Sequence, residues 1–408
     1  MKILWLKTEL LHPVDKGGKI RTYEMLKRLK RDHFITYLTL VSPSDSPESF
    51  DRSDEYCHRL AAVPHRLTEK SGAAFYCELG LNLGSPLPYA LQRYRSSLMR
   101  RAIAREVSLV DYDVVVCDFL APSVNLPPDV GVPTVLFQHN VEAMIWERHY
   151  KNETNRLKKI YLYNQWKKMY GYERKACGRF GAVVAVSEVD RDLMRKEFGV
   201  EQVFDIPTGV DTHYFQPMGG EPISSELVFT GSMDWMPNED AIIYFTDEIL
   251  PRIAAQIPEV KLTVVGRNPT GRLAALAEKN ERVNLTGRVE DIRPYVNRAA
   301  AYVVPLRVGG GTRLKIYEAM AMGKAVISTA IGAEGLPVRD GREILIANDP
   351  KTFAQAVVAT LTDKRLAERM GKLAREVVCE RFGWDRAANA FSEVCENALR
   401  GRLQAHAA

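Results

Sequence analysis

Several features that mark other classes of protein are missing from this 408-residue sequence. No apolar run approaches the about 18 residues that a membrane-spanning helix needs. The opening apolar run, Ile3–Leu6, stops at Lys7 and is too short for a signal peptide, so it predicts a first buried strand. The six cysteines are scattered, with no CxxC pair and no metal spacing. This usage indicates reduced, mostly buried thiols of a cytoplasmic protein.

Familiar catalytic and cofactor signatures are missing as well. The sequence has no Walker loop, no dinucleotide fingerprint after the first predicted strand, and no Ser-His-Asp, Cys-His or His-rich group. Two Asp-x-Asp pairs, Asp111–Asp113 and Asp190–Asp192, could suggest a metal. The first precedes a predicted strand and the second starts a predicted helix, so we interpret both as structural acids. We therefore expect a site built from ordinary side chains, with no metal and no cofactor.

The composition is that of an ordinary globular protein, with 46% hydrophobic and 26% charged residues. The length is enough for two domains. The net charge of +5 is unevenly distributed, because the segment Arg148–Arg179 holds ten lysines and arginines against two acids. The rest of the chain is therefore slightly acidic, and the basic character belongs to one segment.

Short apolar runs of strand length alternate with longer helical patterns along the whole chain, and the alternation restarts after the turn-rich segment Ile206–Glu226. Such alternation is typical of parallel sheets covered by helices. It predicts an α/β protein with two Rossmann-like, doubly wound domains, residues 1–206 and 207–383, facing a cleft. The predicted strands are KILWLK, ITYLTLV, DVVVCD, TVLFQHN, AVVAVS, ELVFTG, VKLTVVG, VNLTG, AAYVVPL, AVIST and EILI.

The stretch Leu306–Val326 carries the strongest site signal, because ligands of open α/β sheets bind where strands end and helices begin. Its residues Gly309–Thr312 would leave backbone N–H groups bare at a helix start, which suits an anion. Arg313 and Lys315 can clamp a diphosphate. Glu318 lies one turn deeper, is expected to be ionised beside the two cations, and can accept from two vicinal hydroxyls. Together these groups suit a nucleotide; the alternative is a glycine turn with surface cations and a helix-capping acid.

Other loops at predicted strand ends supply further candidates. The glycine pair in Lys16–Tyr23 suits close approach of the backbone to a ligand, or else a plain flexible turn. His139 follows a predicted strand inside the expected cleft, which favours a functional over a structural histidine. After the first strand of the second domain, Gly231 and Ser232 are expected to face the cleft, whereas Asn238 is interpreted as a helix cap.

With these motifs in place, the sequence resembles the retaining glycosyltransferases of family 4, which have the GT-B fold of two Rossmann-like domains. It is most similar to bacterial exopolysaccharide-associated sugar transferases. The resemblance runs over nearly the whole chain. The matching words are KGGKIR, VSEVD, IPTGVDTHYF, FTGSMDWMPN, LTGRVEDIRPY and GGGTRLKIYEAMAMGKAVISTAIGAEGL.

The resemblance assigns roles to residues of the second domain. Glu318 matches the second glutamate of the family's Glu-x7-Glu motif, which holds the ribose hydroxyls of the donor. Gly310 stands where the first glutamate, near the donor sugar, is usual. The usual Arg and Lys after the first strand of this domain are also missing, so Arg313 and Lys315 are expected to take over the diphosphate. The backbone of Arg288–Glu290 matches the loop that reads the base.

The resemblance also implies the division of labour between the domains. Residues 1–206, joined by a C-terminal helix at 384–402, form the acceptor domain, and residues 207–383 form the donor domain. His139 matches the histidine beside the donor sugar. The predicted catalytic residues are His139, Arg313 and Lys315; the predicted donor-binding residues are Gly17, Gly18, Gly231, Ser232, Arg288, Val289, Gly310, Gly311, Thr312 and Glu318.

The implied function is metal-independent, retaining transfer of a sugar from a nucleotide-diphosphate sugar, UDP slightly favoured over GDP, to a hydroxyl of a glycan or lipid-linked acceptor. Two cations and a helix N-terminus would stabilise the leaving diphosphate without a metal. In the family's same-face mechanism the leaving phosphate helps to deprotonate the acceptor hydroxyl, so no enzymic nucleophile and no cofactor are expected. Two alternatives are a GT-B-fold sugar-nucleotide epimerase and a catalytically inactive nucleotide-binding subunit. Nucleic acid is not an expected partner.

The basic segment Arg148–Arg179 suggests where the enzyme works. Aromatic residues edged by lysines suit a membrane interface, so we expect a cytoplasmic protein that can bind the inner face of the plasma membrane. The alternative is a helix whose aromatic face packs on the first domain. The face consists of Ile160, Tyr163, Trp166, Met169 and Tyr170, edged by Lys158, Lys159, Lys167 and Lys168.

Overall fold

The structure, a computed structural model, describes residues 1–69, 71–308 and 314–407, with side chains up to residue 401. The chain forms two compact units. The first unit is Met1–Pro207 together with the C-terminal residues from Trp384 on. The second unit is Thr208–Gly383.

The first unit contains a seven-stranded sheet in the order β3-β2-β1-β4-β5-β6-β7. Neighbouring strands pair in parallel throughout, for example Leu6 of β1 opposite Leu38 of β2 and Cys117 of β4. Its strands are β1 Lys2–Lys7, β2 Phe34–Val41, β3 Arg59–Pro64, β4 Val114–Asp118, β5 Thr134–Phe137, β6 Ala182–Ala185 and β7 Val203–Asp205.

The second unit contains a six-stranded sheet in the order β10-β9-β8-β11-β12-β13, again with parallel pairing. Its strands are β8 Ile223–Thr230, β9 Lys261–Val265, β10 Val283–Gly287, β11 Ala299–Val304, β12 Ala325–Ser328 and β13 Leu345–Ile346.

Helices connect the strands in both units. Those of the first unit are α1 Gly17–Leu29, α2 Pro47–Asp51, α3 Gly72–Asn82, α4 Tyr89–Gln92, α5 Ser97–Leu109, α6 Glu142–Asn152, α7 Arg156–Cys177 and α8 Glu188–Leu193, with α16 Trp384–Ala407 at the C-terminus. Those of the second unit are α9 Met236–Tyr244, α10 Leu250–Ala254, α11 Gly271–Lys279, α12 Arg293–Arg298, α13 Leu314–Ala321, α14 Pro350–Thr362 and α15 Lys364–Arg381.

The predicted fold class is confirmed: each unit is a Rossmann-like α/β layer structure. The apolar strands are buried on both faces because helices cover them, as the fully buried run Ile3–Leu6 shows. In each sheet the chain first builds one half and then crosses to build the other. The crossing points lie between β1 and β4 and between β8 and β11. Ligands of such sheets bind beyond the strand ends at these points.

The C-terminal helix α16 packs on the first unit. The Phe391 ring lies 5.4 Å from the Trp5 ring and 4.9 Å from the Phe137 ring, measured between centroids. The hydroxyl of Ser392 lies 2.8 Å from Nε2 of His33. Helix α16 therefore contributes side chains to the same hydrophobic core as β1.

Four of the six cysteines, Cys57, Cys117, Cys177 and Cys395, are buried, and all six are free thiols, as predicted. Among the described residues no helix is long and apolar enough to cross a bilayer.

Candidate active site

A buried charge cluster occupies the crossing point of the first sheet. β1 ends at Lys7 and the neighbouring β4 ends at Asp118, so the two side chains meet, with Nζ 3.0 Å from Oδ2. Thr22 of α1 accepts from Lys7 at 2.7 Å and donates to the same carboxylate oxygen at 2.7 Å. The indole N–H of Trp5 donates to it at 2.9 Å. Asp118 is 0% exposed, so these donors take the place of water at Oδ2.

His139, two residues after the end of β5, joins this cluster. Its Nε2 lies 2.8 Å from Oδ1 of Asp118, and its ring stacks on Phe119 at 3.8 Å between centroids. Burial lowers the pKa of His139 to about 3, although Asp118 opposes the shift. Burial disfavours the ionised form of Asp118 too, but Lys7 and His139 outweigh it and hold the pKa of Asp118 below its usual range. At neutral pH the cluster is a Lys7–Asp118 ion pair beside an uncharged imidazole.

The glycine pair at the start of α1 meets the same cluster through Phe119. A Cβ atom on Gly18 would lie 2.8 Å from Cζ of Phe119, so only glycine lets the helix come this close. Phe119 has a φ of 72°, which is uncommon for a residue with a side chain. The structure thus accounts for Gly18 by packing on a ring that also touches His139. Contact of Gly17 and Gly18 with a donor stays a prediction.

Glu173 of α7 holds the segment between β5 and α6, which contains His139. This residue of α7 is 0% exposed and accepts from the backbone N–H groups of Glu142 and Ala143 at 2.9 and 2.7 Å, which caps the start of α6. It also accepts from Nε2 of Gln138 at 2.9 Å. Burial raises the pKa of Glu173 to about 8 and that of Glu142 to about 7. The residues on both sides of His139 are therefore anchored to α7.

A second cluster, hereafter the Lys315 cluster, occupies the crossing point of the second sheet. Gly231, directly after β8, has a φ of 155°, and a Cβ there would lie 2.6 Å from Nδ2 of Asn238 and 2.8 Å from Nζ of Lys315. Lys315 donates to Oδ1 of Asn238 at 2.9 Å, and Asn238 donates to the carbonyl of Ser232 at 2.8 Å. The structure thus joins three predicted residues, Gly231, Ser232 and Lys315, through one asparagine.

The interpretation of Asn238 as a helix cap is wrong. α9 begins at Met236, so Asn238 lies inside the helix and is 3% exposed. Its side chain bridges the loop after β8 to the first turn of α13 instead of capping its own helix. Lys315 also lies over the ring of Phe229, 4.0 Å from the centroid. The lysine is therefore held in place by Asn238 and the Phe229 ring.

The expected ionisation of Glu318 also needs correction. Glu318 lies one turn along α13 from Leu314 and is only partly exposed. Burial raises its pKa to about 7, and the attraction of Lys315 offsets only part of that effect. Near neutral pH the carboxyl group is therefore divided between its protonated and ionised forms.

The remaining predicted residues fall at the same edge of the second sheet or outside the described residues. Arg288 and Val289 follow β10, where Gly287 has a φ of 69°; Arg288 is exposed and Val289 packs against the core. Four predicted residues lie outside the described residues: Gly310, Gly311, Thr312 and Arg313.

Arg267 is a cation of this edge that the sequence did not point to. It follows β9, and its Nε donates to the Ser232 hydroxyl at 3.1 Å. The backbone N–H of Met233 donates to the Arg267 carbonyl at 2.9 Å, which ties the two loops together. Within the part of the chain that the structure describes, no group of three His, Cys, Asp or Glu side chains could hold a metal.

Comparisons with known proteins agree with this architecture. Residues 16–214 match the sequence model of Glycosyltransferase Family 4. Residues 224–363 match that of Glycosyl transferases group 1. The two matches follow each other along the chain and cover both Rossmann-like units.

Among curated proteins, an uncharacterized 44.6 kDa protein in the cps region of Klebsiella pneumoniae is 23% identical over 369 residues, which is 88% of this chain and 90% of that protein. A phosphatidyl-myo-inositol mannosyltransferase of Mycobacterium tuberculosis is 29% identical over 231 residues, 52% of this chain and 58% of that enzyme. The alignment thus spans little more than half of the mannosyltransferase.

Solved structures show the same fold at low sequence identity. A glycosyltransferase from Rickettsia africae superposes with a TM-score of 0.66 at 16% identity, covering 98% of each chain. The Anabaena protein HepE, solved in complex with UDP and glucose, gives 0.68 at 14% identity and covers 97% of this chain and 99% of its own. The chain is therefore a glycosyltransferase of family 4, with two Rossmann-like domains of the GT-B fold.

Proposed function

We propose that this enzyme transfers a sugar, with retention of anomeric configuration, from a nucleotide-diphosphate sugar to a hydroxyl of a glycan or lipid-linked acceptor. The observation that carries the proposal is the Lys315 cluster. It places a fixed ammonium group beside the bare backbone of Gly231, one helical turn from the Glu318 carboxyl group. A cation next to a group that can accept from two hydroxyls suits the diphosphate and ribose of one nucleotide.

On the donor side, the enzyme's main task is to stabilise the negative charge that develops on the leaving diphosphate. Lys315 supplies a positive charge that is already positioned, so little reorganisation is needed during the reaction. Arg313 and the backbone of Gly310–Thr312 are proposed to add donors at the start of α13. The complexes of HepE with UDP support UDP as the nucleotide, ahead of GDP.

On the sugar side, His139 is proposed to contact the transferred sugar as a neutral hydrogen-bonding group. Its lowered pKa makes an imidazolium acid a poor assignment at neutral pH. In the proposed retaining reaction the leaving phosphate accepts the proton of the acceptor hydroxyl on the same face of the sugar. The enzyme then needs neither a nucleophilic side chain nor a metal.

The acceptor is proposed to belong to polysaccharide or glycolipid synthesis. Two relatives favour this class: one is encoded in a cps region, and another is named for transfer to phosphatidyl-myo-inositol. A lipid-linked sugar would satisfy both precedents, because it combines a glycan hydroxyl with a membrane anchor.

A release assay tests the proposal. The purified enzyme is incubated with UDP-sugars and GDP-sugars, with and without membrane extract and with and without EDTA, and free nucleoside diphosphate is measured. Acceptor-dependent release from a UDP-sugar that survives EDTA is expected, and NMR of the product should show the donor's anomeric configuration. Conversion of the sugar nucleotide without release would favour the epimerase. Nucleotide binding without any turnover would favour the inactive subunit.

A further inference from the structure

Helix α3 is unusually apolar for a helix on a protein surface. Its sequence is GAAFYCELGLN, and Asn82 is its only residue in the buried class. Tyr76 is 69% exposed and Leu81 is 80% exposed, and Leu83, the next residue after the helix, is 51% exposed. An exposed helix of an ordinary soluble surface turns its apolar face inward.

The single charged residue of α3 has the opposite orientation. Glu78 accepts from the hydroxyls of Thr68 and Tyr89 and is only partly exposed. The helix thus directs its one carboxylate toward the protein, whereas Tyr76 and Leu81 face the solvent. This reversed polarity points to an apolar environment outside the protein.

Helix α7 holds α3 from the side. The Gln165 amide donates to Oδ1 of Asn82 at 2.9 Å. Lys168 donates to the carbonyls of Asn82 and Leu83 at 2.6 and 3.1 Å, which satisfies the end of α3. Leu157 lies on the same face of α7 as Lys168, at helical spacing, and is 81% exposed. We refer to the exposed side chains of α3 and of the N-terminal half of α7 together as the α3–α7 surface.

The aromatic face predicted for α7 divides into two parts in the structure. Met169 is 1% exposed and Tyr170 packs on Phe198, so these two residues belong to the core. Ile160 is 68% exposed and Tyr163 43% exposed, and both remain on the outside.

Lysines accompany the apolar residues of α7; Lys158 and Lys167 are exposed and Lys159 is partly exposed. Lys159 lies over the ring of Tyr150 and Lys167 over that of Trp166, at 5.5 and 4.9 Å from the centroids. Lys158 is exposed and pairs with Glu153. Such surface pairs are weak and can be exchanged for other anions.

We infer that the α3–α7 surface docks on an anionic lipid bilayer. Exposed leucines and tyrosines next to lysines match the two layers of a bilayer surface, where apolar side chains enter the acyl boundary and cations contact lipid phosphates. A protein partner would need acidic groups at matching positions among its apolar side chains. An anionic bilayer offers lipid phosphates and acyl chains over its whole surface, so no matching positions are needed. The link between this surface and the acceptor rests on the transfer reaction proposed above.

Liposome flotation tests the inference without any turnover. The full-length protein is expected to float with vesicles containing phosphatidylglycerol, to stay behind with pure phosphatidylcholine, and to dissociate as salt rises. The variant Lys158→Glu/Lys159→Glu/Lys167→Glu should bind at least ~100-fold more weakly, because each lysine contributes about fivefold near an anionic surface. Its control, Lys261→Glu/Lys279→Glu/Lys351→Glu, makes the same charge change on the second unit and should float normally.

The apolar contribution is tested separately. Tyr76→Ser/Leu81→Ser should lower vesicle binding by at least ~10-fold, whereas Leu109→Ser, a 69% exposed leucine of α5, should leave it unchanged. UDP calorimetry and thermal melts on every variant confirm folding and donor binding. The inference is overturned if the wild type does not float with anionic vesicles, or if either α3–α7 variant floats like its control. Failure of the release assay with intact flotation would count against the transferase and not against the surface.

Discussion

Replacing Lys7 by methionine should raise the pKa of His139, so that the imidazole becomes charged at a higher pH than in the wild type. In the wild type the Asp118 carboxylate lies between two partners, with Lys7 3.0 Å from one oxygen and His139 2.8 Å from the other. Burial keeps the imidazole uncharged, and the ammonium group of Lys7 offsets part of the attraction that Asp118 would exert on an imidazolium. Methionine fills a similar volume without the charge. In the variant, a protonated His139 would be the nearest positive charge to the buried Asp118 carboxylate.

The size of the effect follows from the geometry. An imidazolium and a carboxylate 2.8 Å apart attract each other by about 6 kcal/mol at an effective dielectric constant of ~20. One pKa unit corresponds to about 1.4 kcal/mol. Burial of both groups opposes the charging, so only part of this attraction can be realised. We expect the pKa of His139 to rise from about 3 to about 5 or above. Arg21, the other cation that acts on His139, remains in place in the variant.

The measurement is an NMR titration of the histidine ring signals, assigned with a His139→Asn variant. Lys7→Met is also expected to lose about 3–5 kcal/mol of stability, because it leaves a buried charge without its partner. Two further variants therefore accompany it. Lys7→Arg keeps the charge, and Lys7→Met/Asp118→Asn removes both charges; each should leave the His139 pKa low. An unchanged His139 pKa in a folded Lys7→Met protein would refute this account of the cluster.

Four further predictions concern the active site. Lys315→Ala and Arg313→Ala should each lower turnover by ~10²–10³, the usual cost of losing one donor to developing charge; near-normal turnover in both would remove the diphosphate clamp. Glu318→Gln should weaken UDP binding by roughly 10- to 150-fold in calorimetry at pH 8, and unchanged affinity would contradict the ribose assignment. Because the pKa of Glu318 is raised to about 7 and only the ionised form accepts from both hydroxyls, wild-type UDP affinity should rise from pH 6 to pH 8, and this rise should vanish in Glu318→Gln. His139→Ala should lower turnover more than UDP affinity; the reverse pattern would make His139 a structural residue.

The sequence was sufficient to predict most of the fold, because strands buried on both faces form continuous apolar runs. Every predicted strand is present, but β3 and β7 were missed. β3 begins at Arg59, ends at Pro64 and lies at the sheet edge, where it is only partly buried, so its apolar signal is weak. β7 has three residues, Val203–Asp205, which is too short for a periodic pattern.

The sequence predicted those site residues that belong to a motif of a few consecutive residues. Gly231 and Lys315 stand in loops that combine glycine with a helix start, and the structure brings them together. Lys7 and Asp118 carried a weaker signal, a charged residue at the end of a buried strand, and their pairing depends on the order of strands in the sheet. Glu173 could not be found in this way, since its partners lie more than 30 residues earlier in the chain.

The route of the chain through its two units has a consequence for biosynthesis. Unit two is one continuous segment, Thr208–Gly383, whereas the first unit also needs α16, which is translated after the whole of unit two. Domains generally fold as their segments emerge. The second unit can therefore fold during translation, while the first unit must wait with Trp5 and Phe137 lacking the ring of Phe391. A nascent chain stalled or truncated before Trp384 would hold a folded second unit and an incomplete first unit with exposed aromatic core residues, a natural target for chaperones.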